Sequence, residues 1–264
     1  GGSGTTNILY SVWGYSPLSE LTEDEAIDET TSSGTDYKFN PIMNQKNLVR
    51  NNKTHNLNVS GYFDYAITNN LRLKITGGIN NTRVISEEFY NSKTYPGSPN
   101  TTPGRTSGVN GSVLQSNTNN WSNENTLTWT KTINQNHNLN ILAGFSAQGN
   151  TSNAFGFGAT FLPNEKLGIS GLNEGILNPV TTAISSLWTL SSFYGRAKYN
   201  FKSKYYLEAS YRADGSSKFA EGNKWSYFPS LGGSWRFIKE DFLKNNKILS
   251  DGKLRLSYGK TGNN

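Results

Sequence analysis

The sequence predicts an all-β chain of about eight antiparallel strands, joined in four hairpins and forming part of a large transmembrane β-barrel. Three observations lead there. Apolar and polar residues alternate with period two over runs of about 10–15 residues, longer than the five or six of an ordinary soluble strand. Very short turns inside the hairpins alternate with long Gly/Asn/Thr/Pro-rich connections between them. Trp, Tyr and Phe gather at the ends of the alternating runs, with aliphatic or small residues between.

Composition agrees without deciding. Of 264 residues 34% are hydrophobic, against about 45–50% in an average globular chain, yet 12% are aromatic and 27 are Gly. Strands with one oily and one wet face produce that balance, and so does a soluble all-β protein. No Cys is present, which excludes disulfides and thiolate metal sites. The net charge of +6 is dispersed rather than blocked, which argues against a nucleic-acid partner. No apolar run reaches the ~18 residues of a membrane helix, and "GGSGTTNILY" has neither the basic start nor the apolar core of a signal peptide.

Residues 1–52 read as an irregular extracellular loop region ahead of the first strand, and 53–264 as a partial outer-membrane barrel. The acidic run "LSELTEDEAIDET", with its carboxylates between residues 20 and 29, lacks the fixed spacing of a Ca²⁺ loop and reads as solvated surface. In "KTHNLNVSGYFDYAI" Leu57, Val59, Phe63, Tyr65 and Ile67 share a face opposite Asn56, Asn58, Ser60 and Asp64. The turn "TNN" follows, and "LRLKITGGIN" sets Leu71, Leu73, Ile75 and Ile79 against Arg72, Lys74 and Asn80. The second hairpin is "WSNENTLTWTKTI" and "HNLNILAGFSAQ" around "NQN", and the third is "SLWTLSSFYGRAKYNF" and "KYYLEASYRAD" around Lys202 and Ser203. The fourth joins "WSYFPSLGGSWRFI" to "GKLRLSYGKTG" through "KEDFLKNNKILSD", a short helical turn.

Between hairpins the connections run roughly over 86–119, 149–185 and 214–224. Short periplasmic turns and long extracellular loops are the plan of an outer-membrane barrel. Trp225 and Tyr227 stand at one end of their strand, Trp235 and Phe237 at the other, with Leu231 and Gly233 between. Phe63, Tyr65, Tyr199, Phe201 and Tyr205 lie beside short turns and are assigned to the periplasmic girdle. On the opposite face Arg72, Lys74, Arg196, Lys198, Glu208, Arg236 and Arg255 would look into a wet lumen. Pro229 inside a strand removes a ladder donor, which calls for a bulge near the rim. Trp188 and Leu190 fall on the polar side, a position expected above the membrane.

Reactive motifs are absent. His55 and His137 stand alone, as strand-end polar residues. "YGKTG" lacks the upstream Gly of a P-loop, where Leu254 stands, and "GFGATF" lacks the third Gly of a dinucleotide fingerprint. No nucleophile elbow or acid/base carboxylate pair stands out, so no enzyme activity and no cofactor is expected. The loop aromatics Tyr90, Tyr95 and Phe157 are candidates for contact with cargo.

The segments "YRADGSSKF", "WSYFPSLGGSWRFIKEDFLKN" and "GKLRLSYGKTGNN" resemble the late barrel of the SusC/RagA-type TonB-linked outer-membrane proteins of Bacteroidota. That family's pattern falls here on Arg212, Asp214, Gly215, Ser216, Ser217 and Phe219, then on Phe228, Pro229 and Ser230. It continues at Trp235–Arg236, Phe242–Leu243 and Leu254 to Asn263. The likeness is dense over about fifty residues, whereas residues 40–200 share only the hairpin rhythm and the "NPIMNQKN" loop style.

The resemblance implies a 22-stranded barrel closed by a plug. It further implies a TonB box, a SusD-like surface lipoprotein lid, and import of oligosaccharides or oligopeptides through the TonB complex in the outer membrane of a Gram-negative bacterium. The chain then reads as an interior slice of the barrel, without plug or C-terminal strands. Arg212 and Asp214 read as rim residues that order a loop by local hydrogen bonds, with cargo contact the alternative. Two other readings stay open: a soluble extracellular β-sandwich that binds carbohydrate, and a passive porin or adhesin barrel.

Overall fold

The computed structural model describes residues 12, 39–243 and 249–262. The acidic run of residues 20–29 and the motif residue Asn263 lie outside them. One eight-stranded antiparallel sheet is built as a meander in strict chain order. Its strands are β1 (Leu48–Ala66), β2 (Leu71–Tyr90), β3 (Asn110–Ile133), β4 (His137–Thr160), β5 (Ile176–Phe201), β6 (Tyr205–Ser216), β7 (Trp225–Trp235) and β8 (Leu254–Gly259). Two short helices precede β1 and β3: α1 (Pro41–Asn47) and α2 (Thr102–Ser107). Two 3₁₀ turns, Phe237–Lys239 and Asp241–Leu243, carry the chain from β7 towards β8.

All four hairpins stand where the alternation places them, but the strands are longer than it reveals. β1 starts at Leu48 rather than Lys53, and β5 runs for 26 residues. The connections over 86–119 and 149–185 shrink to 91–109 and 161–175, because "SEEFY", "NGSVLQSNTNN", "GNTSNAFGFGAT" and "ILNPVTTAIS" are strand. In these stretches Asn, Ser, Thr and Gly interrupt the apolar residues, and Phe89 and Ala159 turn into a local core. A ladder of backbone hydrogen bonds sustains them through those interruptions, so the periodic signal fades while the strand continues. Three placements change in consequence. Tyr90 ends β2 and Phe157 sits within β4, so neither is a loop residue, and His55 lies inside β1 rather than at its end. β6 likewise runs through Asp214 and Gly215 to Ser216.

Two tight turns use left-handed backbone at consecutive positions, Asn134 (φ 49°) with Gln135 (φ 60°) and Lys202 (φ 50°) with Ser203 (φ 53°). Positive φ at both central positions matches the right-handed twist of the flanking strands, the reason hairpins favour such turns. The Lys202 amide also donates to the Asn136 carbonyl at 2.7 Å, tying one turn to the next.

The chain divides into two compact units. One comprises residues up to 55 with 82–117 and 152–185, and holds a small apolar core of Phe89, Ala159, Leu162 and Leu172. Its helices are capped as their sequences dictate. Asn40 accepts from the Ile42 and Met43 amides ahead of Pro41, and Thr101 accepts from the Gly104 amide. Tyr95 is buried there, edge-on to Phe39 at 5.8 Å between ring centres.

The other unit comprises residues 56–81, 118–151 and 186 onward, and it answers the question posed by the alternating strands. The oily side chains are the exposed ones: Leu207 52%, Tyr211 51%, Tyr227 50% and Leu231 55%. Their polar neighbours in β6 and β7 are mostly half-buried. Among the described residues no second protein layer covers the oily face, which the soluble-sandwich reading requires.

Across β5, β6 and β7 that face is banded. Rings meet across strands at one end, Phe201 with Tyr205 at 6.2 Å, and at the other, Phe193 with Trp225 at 6.1 Å and Tyr211 with Tyr227 at 6.1 Å. Ala197, Ala209 and Leu231 pair between them. Ten residues separate Trp225 from Trp235, about 33 Å of strand and about 25 Å of height at a tilt of about 40°, the thickness of a barrel's lipid belt. Burial of one such side chain is worth about 1.5–3 kcal/mol, so seven left in water on β6 and β7 would forfeit on the order of 10 kcal/mol, as much as a domain's net stability. An apolar surround, such as the lipid belt of an outer-membrane barrel, would recover it.

Pro229 is accommodated without a bulge. The β6–β7 register is unslipped from Tyr205↔Trp235 to Gly215↔Trp225, with Tyr211 opposite Pro229. The Pro229 carbonyl instead accepts from the Lys260 amide at 3.0 Å, so its missing N–H faces β8 just where that strand ends.

In single-tryptophan variants reconstituted in lipid with brominated acyl chains, emission from Trp225 and Trp235 is expected to be quenched, and that from Trp188 on the polar side to persist. Equal quenching of all three would contradict the two-faced sheet.

Candidate functional site

The polar face of β5–β8 is assembled by register. Tyr194 stands opposite Arg212 and Phe228 follows on β7; Arg196 stands opposite Ser210 and Ser230; Lys198 opposite Glu208 and Gly232; Asn200 opposite Tyr206, Ser234 and Arg255 in turn. Charges that share this face are largely matched. Arg72 reaches Asp64 at 3.0 Å, Lys198 reaches Glu208 at 3.5 Å, and Arg236 reaches Asp251 at 2.8 Å. Lys74 lies over the Tyr62 ring at 5.1 Å. Each pair is partly exposed and contributes no more than about 1 kcal/mol.

At the far end of β6 the motif residues form a compact tie. The Arg212 Nε donates to both Asp214 oxygens at 2.7 and 2.9 Å, and its Nη2 donates to Ser192 Oγ at 2.9 Å. The guanidinium also lies over the Tyr194 ring, whose hydroxyl donates to Glu124. Asp214 and Ser192 are both buried, so their lone pairs need these donors. A Cβ on Gly215 would stand 2.8 Å from the Trp225 indole, so only Gly lets that ring lie against the strand. Ser217 Oγ accepts from the Thr189 amide at 2.8 Å while its own amide donates to the Thr189 carbonyl at 2.9 Å. Ser216 Oγ accepts from the Lys218 amide, and Lys218 Nζ covers the Trp188 ring at 4.5 Å. Phe219 follows with its amide 3.5 Å from the Ser216 carbonyl and its side chain exposed.

A second junction joins two motif pieces that are thirty residues apart. Phe228 lies against Gly262, where a Cβ would strike the ring; Pro229 accepts from Lys260; and Ser230 packs on Gly259 while its hydroxyl lies 3.1 Å from that of Ser210.

The chain matches no family model. It is 33% identical over 230 residues to TonB-dependent receptor P26 of Formosa agariphila, covering 85% of this chain and 22% of that protein. To TonB-dependent receptor SusC of Bacteroides thetaiotaomicron it is 44% identical over 81 residues, 31% of this chain and 8% of that one. The RagAB peptide importer in its closed-closed state superposes with a TM-score of 0.77 at 22% identity, over 91% of this chain and 26% of that chain. The chain belongs to the SusC/RagA-type TonB-linked outer-membrane proteins. It spans about a quarter of the length of the relatives it matches, and its eight-stranded sheet is part of a large barrel.

Within this SusC/RagA-type segment the aromatic candidates separate. Tyr90 is tied at the end of β2, donating to Glu88 at 2.8 Å and accepting from Arg50 at 3.3 Å, while Tyr95 is enclosed. Phe157 is exposed and borders an apolar hollow with Ile169, Leu172 and Leu177. Neither histidine has metal-ligating company among the described residues; His137 Nδ1 lies 2.6 Å from the Tyr199 hydroxyl, beside the Phe201 ring.

Sequence reasoning passed over one hub. After β7, Glu240 accepts from Lys204 at 2.9 Å, from the Trp235 indole at 3.0 Å and from the Tyr205 hydroxyl at 2.7 Å. The Lys204 ammonium, then the two aromatic donors, hold its carboxyl down at about 2. The signal was available in the girdle itself, since Trp and Tyr at an interface need partners for their polar tips.

Replacing Asp214 by Ala strands the Arg212 guanidinium and is expected to lower unfolding stability in detergent by about 1–2 kcal/mol, discounted for the exposure of the arginine. Asp214→Asn should cost less, and no change in either variant would refute the tie.

The Glu240 carboxyl is depressed on folding, so its stabilisation is complete above its ordinary 4.5 and lost as pH falls towards about 2. Thermal unfolding of the intact chain should show that acid step, and Glu240→Gln should abolish it.

Proposed function

We propose that this chain is a wall segment of a TonB-dependent outer-membrane importer in a Gram-negative bacterium. In this reading the polar face of β1–β8 lines the lumen and the oily face meets lipid. The cargo is an oligosaccharide or oligopeptide delivered by a SusD-like lipoprotein, and transport is energised by the TonB complex. The observation that carries it is the inverted burial of β6 and β7, with two aromatic bands spaced by the thickness of a membrane.

The segment's task is mechanical. A closed ladder satisfies backbone donors inside lipid, and the matched charges give the inner wall a hydrated surface. The Arg212–Asp214–Ser192 tie and the Ser217–Thr189 pair order the β6–β7 connection at the rim. The motif residues thereby act as supports, and cargo contact is assigned to none of them. Kinship with receptors and transporters, rather than with any catalyst, supports a non-enzymatic role.

The test uses the full-length gene that contains this segment, expressed with its neighbouring lipoprotein. Uptake of labelled oligosaccharide or oligopeptide should require TonB and cease when the proton-motive force is collapsed. Uptake that persists without TonB would replace the importer by a passive pore.

A further inference from the structure

The oily face ends, beside the short turns, in an edge whose charges the wall role leaves unused. Its residues come from β3–β7 and the turns between them, all within the second compact unit. Tyr199 is the cross-strand partner of Leu207, and Tyr205 of Trp235, so these rings share the oily side, where a plug in the lumen does not reach. They are joined by contact. The Tyr199 hydroxyl lies 2.6 Å from His137 Nδ1, and the His137 ring lies on Phe201 at 4.7 Å between centres. Phe201 stacks on Tyr205, whose hydroxyl shares Glu240 with Lys204 and the Trp235 indole.

Turn geometry adds a cation to these rings. Alternation along β5 would send Lys202 to the polar face, but its left-handed backbone (φ 50°) ends the strand and brings the ammonium over the Phe201 ring at 5.2 Å. Bonds from the Lys202 amide to Asn136 and from the Arg236 amide to the Lys204 carbonyl, each 2.7 Å, hold that turn on both sides. Charge at this edge is one-sided. Lys131, which shares the parity of the exposed Leu127 and Ile133, is itself exposed, as are Lys202 and Lys239. Among the described residues no carboxylate lies within salt-bridge distance of these three lysines. Glu240 is spent on Lys204, and Asp241 follows it. Phe242, next in that 3₁₀ turn, is 74% exposed. Exposed rings interleaved with open lysines suit the boundary between acyl chains and phosphates, where the ring lies in the apolar layer and the ammonium reaches the head group.

We infer that this edge is a binding site for an anionic phospholipid. The inference rests on the importer reading, which turns the oily face to lipid, and adds which lipid that face selects. The head-group phosphate answers Lys202 and the neighbouring lysines by charge-assisted hydrogen bonds, while the acyl chains lie along the apolar middle of β5–β7. A zwitterionic phospholipid brings an ammonium of its own, which the lysines repel and which Glu240, already holding Lys204, Tyr205 and Trp235, is not free to take. Free phosphate matches the lysines but gains nothing from the rings.

The experiment uses the full-length protein with Trp235 as its sole tryptophan, reconstituted in phosphatidylcholine bilayers. Brominated phosphatidylglycerol or brominated phosphatidylethanolamine is added, and quenching of Trp235 reports which lipid occupies the edge. Phosphatidylglycerol is expected to bind at least about fivefold more tightly, with the preference shrinking in high salt. The triple variant K131Q/K202Q/K239Q should lose that preference, the charge-keeping K131R/K202R/K239R should retain most of it, and Lys74→Gln, on the polar face, should change nothing. Excess inorganic phosphate at constant ionic strength should leave the preference intact. Equal quenching by the two lipids, an undiminished preference in the triple glutamine variant, or its removal by inorganic phosphate would each overturn the inference. The importer reading fails separately. TonB-driven uptake without lipid preference at Trp235 sinks the site and keeps the importer, whereas a preference without energised uptake keeps the site and sinks the importer.

Discussion

The backbone ladder governs everything else in this chain. Inside hydrocarbon an unpaired N–H or C=O costs several kcal/mol, so each strand must be bonded along both edges wherever lipid surrounds it. The meander meets that demand with neighbours that follow one another in sequence and registers that do not slip. The placement of Pro229 follows from it: a residue without an amide hydrogen is tolerated only where the facing strand is ending. So do the left-handed turns at Asn134–Gln135 and Lys202–Ser203, which reverse the chain with no spare residues to leave unpaired.

Once pairing is continuous, side-chain direction is no longer free. Parity sends Leu207, Tyr211, Tyr227 and Leu231 outward and Glu208, Ser210 and Ser230 inward, and register decides which inward groups confront one another. Lys198 meets Glu208 because they are cross-strand partners, and Arg212 finds Ser192 because the Asp214 row brings β5 alongside.

Legibility along the chain followed the solvent. Where one face is oily and the other polar, composition must alternate, and the hairpins, their turns and the ring-bearing ends could be read directly from "WSYFPSLGGSW" and "KYYLEASYRAD". Elsewhere Asn, Ser, Thr and Gly break the alternation, so "NGSVLQSNTNN" and "ILNPVTTAIS" resembled loops although they are strand, and Tyr90 and Phe157 were misplaced with them. The motif residues were visible as a pattern, but their partners were not. Nothing in the local sequence of "RADGSS" names Ser192, Thr189 or Trp225, and nothing in "FPS" names Gly259 or Gly262.

By itself the sequence determined the all-β class, the four hairpins, the two-faced parity and the family likeness, because each of these is written in local spacing that strand pleat and turn geometry impose. Only the tertiary structure decided how far the strands extend, how Pro229 is housed, why Gly215 must lack a side chain, and which charges are paired. Those outcomes depend on residues far apart in the chain coming into register across strands. Such coincidences are set by the ladder, and no single strand encodes them.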